Sequence, residues 1–148
     1  MHIDINNLSS YKEDNRIEAK KAKDNLPNSI WETYSAFANT DGGIILLGVA
    51  EERNRTLQVT GVTNPDKLVI DFWNMVNNRQ KVSLNVLTNR MVEVHDLDGK
   101  SIVSIRVPKV DRKQRPIYVG LDPMRGTYRR DHEGDHLCTA DEVAAMYR

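Results

Sequence analysis

The sequence predicts a mixed α/β (α+β) fold, a mixed central β-sheet with about three helices packed on it. Three observations carry this. Segments of strand period interleave with segments of helical period in the order β-α-β-β-α-β-β-β-β-α. Residues 44–49 form an apolar run with Gly48 inside it, the pattern of a central strand buried on both faces. Residues 91–107 alternate on either side of Asp98-Gly99, which reads as a hairpin.

Residues 1–14 are polar and mixed and read as an N-terminal arm; residues 15–148 read as one domain. Arg16 to Lys20 alternates and suits a short edge strand. Pro27, near a first helical position, opens a helix whose buried stripe is Ile30, Tyr34, Phe37 and Ala38. Asn39-Thr40-Asp41-Gly42-Gly43 ends it, and the core strand follows. A charged turn then leads to a strand at 57–62, hairpin-paired with the first. Asn64 caps a second helix with Pro65 in its first turn and Leu68, Val69, Phe72, Trp73 and Val76 on its apolar face. Trp31, Phe72 and Trp73 lie at core spacing and read as packing, or as an oligomer interface if one edge is exposed. After the hairpin come a basic loop at 108–115, short strands at 116–119 and 126–130, and a last helix. Thr139 and Glu142 form the capping box of that helix.

A chain of 148 residues buries enough surface to fold without a disulfide or metal staple. No apolar run approaches the length of a membrane span. The first seven residues lack the basic start and apolar core of a signal peptide, and one cysteine suggests a reducing compartment, so a cytoplasmic location is expected. Lys+Arg and Asp+Glu are equal at 21 each. That balance hides an uneven distribution: residues 100–130 hold 9 basic and 2 acidic side chains, a segment of net +7. Such a segment attracts phosphates whatever the total charge; the alternative is a solvated loop with flanking strands.

Lys109, Arg112, Lys113, Arg115, Tyr128, Arg129 and Arg130 are the candidate nucleic-acid contacts. Cations neutralise phosphates and tyrosines stack on unpaired bases. Strand alternation would turn Arg129 away from the face shared by Tyr128 and Arg130. Asn39, Asp41, Gly42 and Gly43 have two readings. One is a helix-to-strand connector. The other is a phosphate contact through exposed amides. The stretch is not a P-loop, because no Gly-Lys-Ser/Thr follows the glycines. His132, His136 and Cys138 lack zinc spacing and read as a polar loop, so no metal is expected there.

Three stretches together resemble a known family. They are Ile17-Glu18-Ala19-Lys20 with Leu26-Pro27; residues 35–43, SAFANTDGG, running into Leu46-Leu47-Gly48-Val49; and residues 116–120 with Tyr128-Arg129 and Thr139-Ala140-Asp141-Glu142-Val143. In that order they resemble the Schlafen-type AlbA-like domain, also labelled a divergent AAA-type domain, over about residues 11–147. The missing P-loop gives the ATPase-type label no support. The resemblance implies a DNA-binding domain at the N-terminus of a longer prokaryotic transcriptional regulator, often followed by a winged-helix or ATPase-like region. This chain would then be an excised module.

In animal Schlafens the related fold acts as a nuclease on structured RNA through three carboxylates, two of them glutamates five residues apart. Glu13 and Glu18 have that spacing, with Glu51 or Glu52 as the third. The alternative implied is a ribonuclease that needs Mg or Mn. The binding reading is not enzymatic and implies no cofactor. A sensor or oligomerisation domain is a third reading. The balanced total charge limits one copy to modest, salt-sensitive binding, so a homodimer or second domain is expected to supply specificity.

Overall fold

In the computed structural model, residues 2–148 are described. The strands are β1 (Ile17–Lys20), β2 (Gly43–Leu47), β3 (Val49–Glu51), β4 (Leu57–Val59), β5 (Val92–Leu97), β6 (Lys100–Val107), β7 (Tyr128–Asp131) and β8 (Gly134–Leu137). The helices are α1 (Ile30–Asn39), α2 (Pro65–Val76), α3 (Pro123–Gly126) and α4 (Ala140–Met146). The main sheet has the order β1-β2-β6-β5. It is mixed: β1 runs parallel to β2, with Ile17 opposite Ile44, and the other pairs are antiparallel.

The apolar run at 44–47 lies inside this sheet, buried at every position. Its side chains feed two cores. Ile45 and Leu47 pack with Tyr34, Phe37, Phe72 and Ile105 under α1 and α2. Ile44 and Leu46 pack on the opposite face against Ile3, Leu8, Val49 and Leu57. Each such side chain contributes roughly 1.5–3 kcal/mol on burial. The second core is closed by the N-terminal segment, whose 3-10 turn (Ile5–Ser10) plants Leu8 in it. Trp31 stacks on Phe72 with ring centroids 5.3 Å apart, joining α1 to α2. The Tyr34 hydroxyl donates to the Leu84 carbonyl and accepts from the Val86 N–H. Burial pushes its pKa up to about 12.

Several boundaries differ from expectation for identifiable reasons. Pro27 does not enter α1. Its carbonyl accepts from the Ile30 N–H in a turn that precedes the helix, and Ser29 takes the cap position. The run 44–49 is split at Gly48, whose φ of +89° breaks the ladder. Only its far end, β3, pairs with β4, in a separate two-stranded sheet. Residues 116–119 form two isolated bridges, Tyr118 to Thr127 and Val82 to Val119, rather than a strand. Residues 132–138, expected as a polar loop, turn at His132 and return as β8 against β7. The Asn64 cap, the 98–99 hairpin and the Thr139–Glu142 capping box match expectation. Among the described residues no helix is long and apolar enough to cross a membrane.

Candidate functional site

An open cleft of about 640 Å³ lies beside the β1 edge, lined by Glu13, Asp14, Asp41, Arg55, Arg130, Asp131 and Glu133 among others. Glu13 comes from the segment before β1, Glu51 from the end of β3, and Glu133 from the β7–β8 turn. One carboxylate oxygen of each lies within 4.8 Å of the other two. Glu13 accepts a hydrogen bond from the Ala19 N–H at 2.9 Å. Burial first, and then the neighbouring Glu18 and Glu51 carboxylates, push its pKa up to about 8 against the pull of that bond. Hard oxygen donors this close suit Mg²⁺ or Mn²⁺.

The three carboxylates that the resemblance implies, Glu13, Glu18 and Glu51, do not form this cluster as a set. Glu13 and Glu51 meet in it. Glu18 faces another partner: its Oε1 lies 2.9 Å from Arg130 Nη1, and Lys20 sits 3.8 Å from its Oε2. Glu133 takes the third place. It stands far from Glu51 in sequence, inside a hairpin the sequence does not announce, so no spacing identifies it. Arg55 reaches across and holds Glu133 at 2.5 Å.

Arg130 was expected on the phosphate-contacting surface; its side chain is instead wholly buried. Its guanidinium meets Glu18 and, at 2.7 Å, Asp135. It donates to the carbonyls of Asp14 and Ile17 and lies 4.9 Å above the Phe37 ring. A buried cation needs such a set, because an unpaired one would be costly. Arg130 thus ties β7 to β1 and to the floor of the cleft. Asp135 completes the tie by accepting from Thr33 of α1 at 2.6 Å.

Asn39 is likewise internal. Its amide donates to the carbonyls of Ile117 and Tyr128 and its oxygen accepts from the Ile117 N–H. At the α1 C-terminus the Gly42 N–H donates to the Phe37 carbonyl at 2.7 Å, and Gly43 is buried in the ladder opposite Val107. The exposed amides expected at this turn are therefore not on offer to a ligand. The connector reading holds for Asn39, Gly42 and Gly43. Asp41 is exposed at the cleft edge.

The remaining cations divide sharply. Lys109, Arg112 and Lys113 are exposed, the last two in a 3-10 turn (Arg112–Gln114) capped by Asp111. Arg115 is half-buried, and its Nε is enclosed with no hydrogen-bond partner among the described residues. Arg129 points away from Arg130 and pairs with Glu142 at 3.0 Å and Asp131 at 3.6 Å. Tyr128 is half-buried. Its N–H donates to Ser35, and burial followed by Glu32 and Asp135 raises its pKa.

The family model described as Schlafen, AlbA_2 matches residues 13–138. No curated protein matches the chain. Among solved structures, the N-terminal domain of a RecG-related protein from Nitrosomonas europaea is 31% identical, with a TM-score of 0.62. The match covers 89% of this chain and 88% of that one. The DIP2311 protein from Corynebacterium diphtheriae shares the fold at 16% identity and a TM-score of 0.57. There the match covers 90% of this chain and 23% of the other, so the chain spans under a quarter of that protein. With a family match over most of its length and a relative this similar along nearly all of it, the chain belongs to the Schlafen AlbA_2 family.

Proposed function

We propose that this domain binds nucleic acid, with DNA as the polymer, through the phosphates, and serves a transcriptional regulator in that role. The observation that carries the reading is the position of Lys109, Arg112 and Lys113 on one exposed loop. Exposed cations on a loop neutralise phosphates without reading bases. The RecG-related protein whose N-terminal domain is similar supports a nucleic-acid role of this kind. Fluorescence anisotropy with labelled duplex and single-stranded oligonucleotides tests it. Binding at low salt should weaken steeply as salt rises, and R112A/K113A should weaken it for every sequence. Absence of binding by the wild-type domain at low salt would end the reading.

A second reading, divalent-metal-dependent cleavage of a phosphodiester in RNA, is favoured by one specific observation: the convergence of Glu51 with Glu13 and Glu133, two residues of the cleft wall. The residues fit a hard cation, which when bound would supply Lewis-acid activation of water. Glu13, Glu51 and Glu133 would hold it. Arg130, which lines the cleft, fixes the neighbouring Glu18 carboxylate through their 2.9 Å ion pair. Cleavage of a structured RNA with Mg²⁺ or Mn²⁺, abolished by E51Q, is the expected result. Turnover unchanged by E51Q and E133Q would exclude the cleft as its source.

A further inference from the structure

Next to the acidic cleft lies a second, smaller pocket of opposite character. It has a volume of about 240 Å³, and its polar lining is Arg16, Arg106, Lys109 and Asp41. Asp41 also lines the acidic cleft, so the two cavities share a wall.

The local chemistry explains why three cations converge here. A side chain at Gly42 would run into the Lys109 N–H and the Val107 carbonyl, each 2.8 Å from its Cβ. A side chain at Gly43 would strike the Arg16 carbonyl at 2.8 Å and the Phe37 ring. Real Cβ atoms do not tolerate these distances. The two glycines therefore let the backbones of Arg16 and Lys109 close in from opposite sides. The β2–β6 register then adds Arg106, opposite Ile44. Arg106 is exposed, and one of its Nη atoms donates to the Arg90 carbonyl at 3.0 Å. Arg16, half-buried just before β1, adds the third cation to the lining.

We propose that this pocket seats one phosphate group of a bound polynucleotide, held by the positive charges of Arg16, Arg106 and Lys109. The inference rests on the nucleic-acid reading above and adds a site to it. The glycine pair then has a role in binding that needs no free amide: it sets the spacing of the cations. The strand leaving the pocket past Asp41 would pass the acidic cleft. Asp41 opposes the phosphate, because its carboxylate faces the same cavity.

The test is anisotropy titration of a labelled 20-base-pair duplex and a single strand, from low to moderate salt. The proteins are wild type, R106Q, K109Q, R106Q/K109Q, D41N and R112A/K113A. Circular dichroism melts check folding. R106Q/K109Q is expected to lose about tenfold in affinity or more at low salt. The slope of log K against log salt on duplex should become shallower by roughly 2, about 0.9 for each contact removed. D41N is expected to bind two- to threefold more tightly, a sign that a folding defect does not produce. If wild type binds but R106Q/K109Q and D41N stay within a factor of 1.5 of it with the same slope, the pocket is wrong and the general reading stands. If R112A/K113A also binds like wild type, the loop is wrong too. A wild-type protein that binds neither probe overturns both.

Discussion

Arg130 and Arg112 belong to the same basic stretch of sequence, yet they occupy opposite environments. Arg130 is wholly enclosed between Glu18, Asp135 and two carbonyls. Arg112 lies on the surface, and among the described residues its side chain donates to the backbone oxygen of Arg148 alone. The difference lies in their partners. The β7–β8 hairpin packs against α1 and β1, so its inward cation must be neutralised within the protein. The 111–115 loop faces water and leaves its cations to whatever approaches. A sequence charge of +7 therefore overstates the field seen by a ligand. Arg129 and Arg130 are matched by Glu142, Asp131, Glu18 and Asp135, which leaves Lys100, Arg106, Lys109, Arg112, Lys113 and Arg125 as the exposed cations of the stretch.

The sharpest way to break this contrast is to remove each arginine in turn. R130A leaves Glu18 and Asp135 buried without their cation. Losing one partner of a buried pair costs about 3–5 kcal/mol. A domain of this size should then melt roughly 6–20 °C lower. R112A should move stability by less than about 0.5 kcal/mol, as exposed substitutions do. Thermal melts of the two variants side by side decide it. Equal melting temperatures would mean that Arg130 is not the tie described.

The second contrast concerns binding. R112A/K113A should lower nucleic-acid affinity by about tenfold at low salt and flatten the salt dependence by roughly two contacts. Its melting temperature should stay at the wild-type value. A variant that melts early as well would show that the loop carries structure, and the loss of binding would then say nothing of phosphates.

The sheet and the site were not equally legible in the sequence. The central strand, the 98–99 hairpin and both capped helices follow from local patterns, because apolar runs, Asp-Gly turns and caps act over a few residues. β8 does not. Gly134-Asp135-His136-Leu137 has no apolar alternation, and what holds it is distant: Asp135 bound to Thr33 and Arg130. With β8 unseen, the inward turn of Arg130 and the arrival of Glu133 beside Glu13 and Glu51 were equally invisible. Glu13 and Glu51 could be named from the family resemblance, one by its spacing to Glu18 and the other as a later acid; Glu133 depends on tertiary placement alone. The Gly42-Gly43 pair was legible as a motif, but its cause was not. The reason is backbone crowding by Arg16 and Lys109, two segments remote in sequence.

The acidic cleft gives a third contrast, in pH. Folded Glu13 keeps its proton up to about pH 8, whereas a solvent-exposed glutamate carboxyl loses it near 4.5. The folded state thus binds the extra proton between those values, and stability falls as pH rises through that window. Glutamine at this position keeps an oxygen for the Ala19 N–H and cannot ionise. E13Q should therefore match wild type near pH 4.5 and exceed it above pH 8. The gain is about 1 kcal/mol once solvent screening of a half-buried group is allowed for, or roughly 2–4 °C. Melts across pH 4.5–9 check the sign. A wild-type advantage at high pH would show that Glu13 is favourably ionised in the fold.

The smallest expected effect tests where the binding surface stops. Arg129 lies on the exposed side of β7, but its charge is already matched by Glu142 and Asp131. Glu142 also accepts from the Thr139 N–H in the capping box of α4, and that bond, ahead of Arg129, holds its pKa below the usual value. The ion pair therefore joins β7 to a helix start that is already satisfied. Removing such a surface pair costs at most about 1 kcal/mol. R129A should melt within a few degrees of wild type and bind nucleic acid within about twofold of it, because neutralising a matched charge releases few counterions. Anisotropy and melts on the same sample settle the point. Loss of affinity on the scale of R112A/K113A would mean that Arg129 leaves Glu142 for phosphate in the complex. The surface would then extend from the basic loop onto β7, with Tyr128 as its neighbour in the strand.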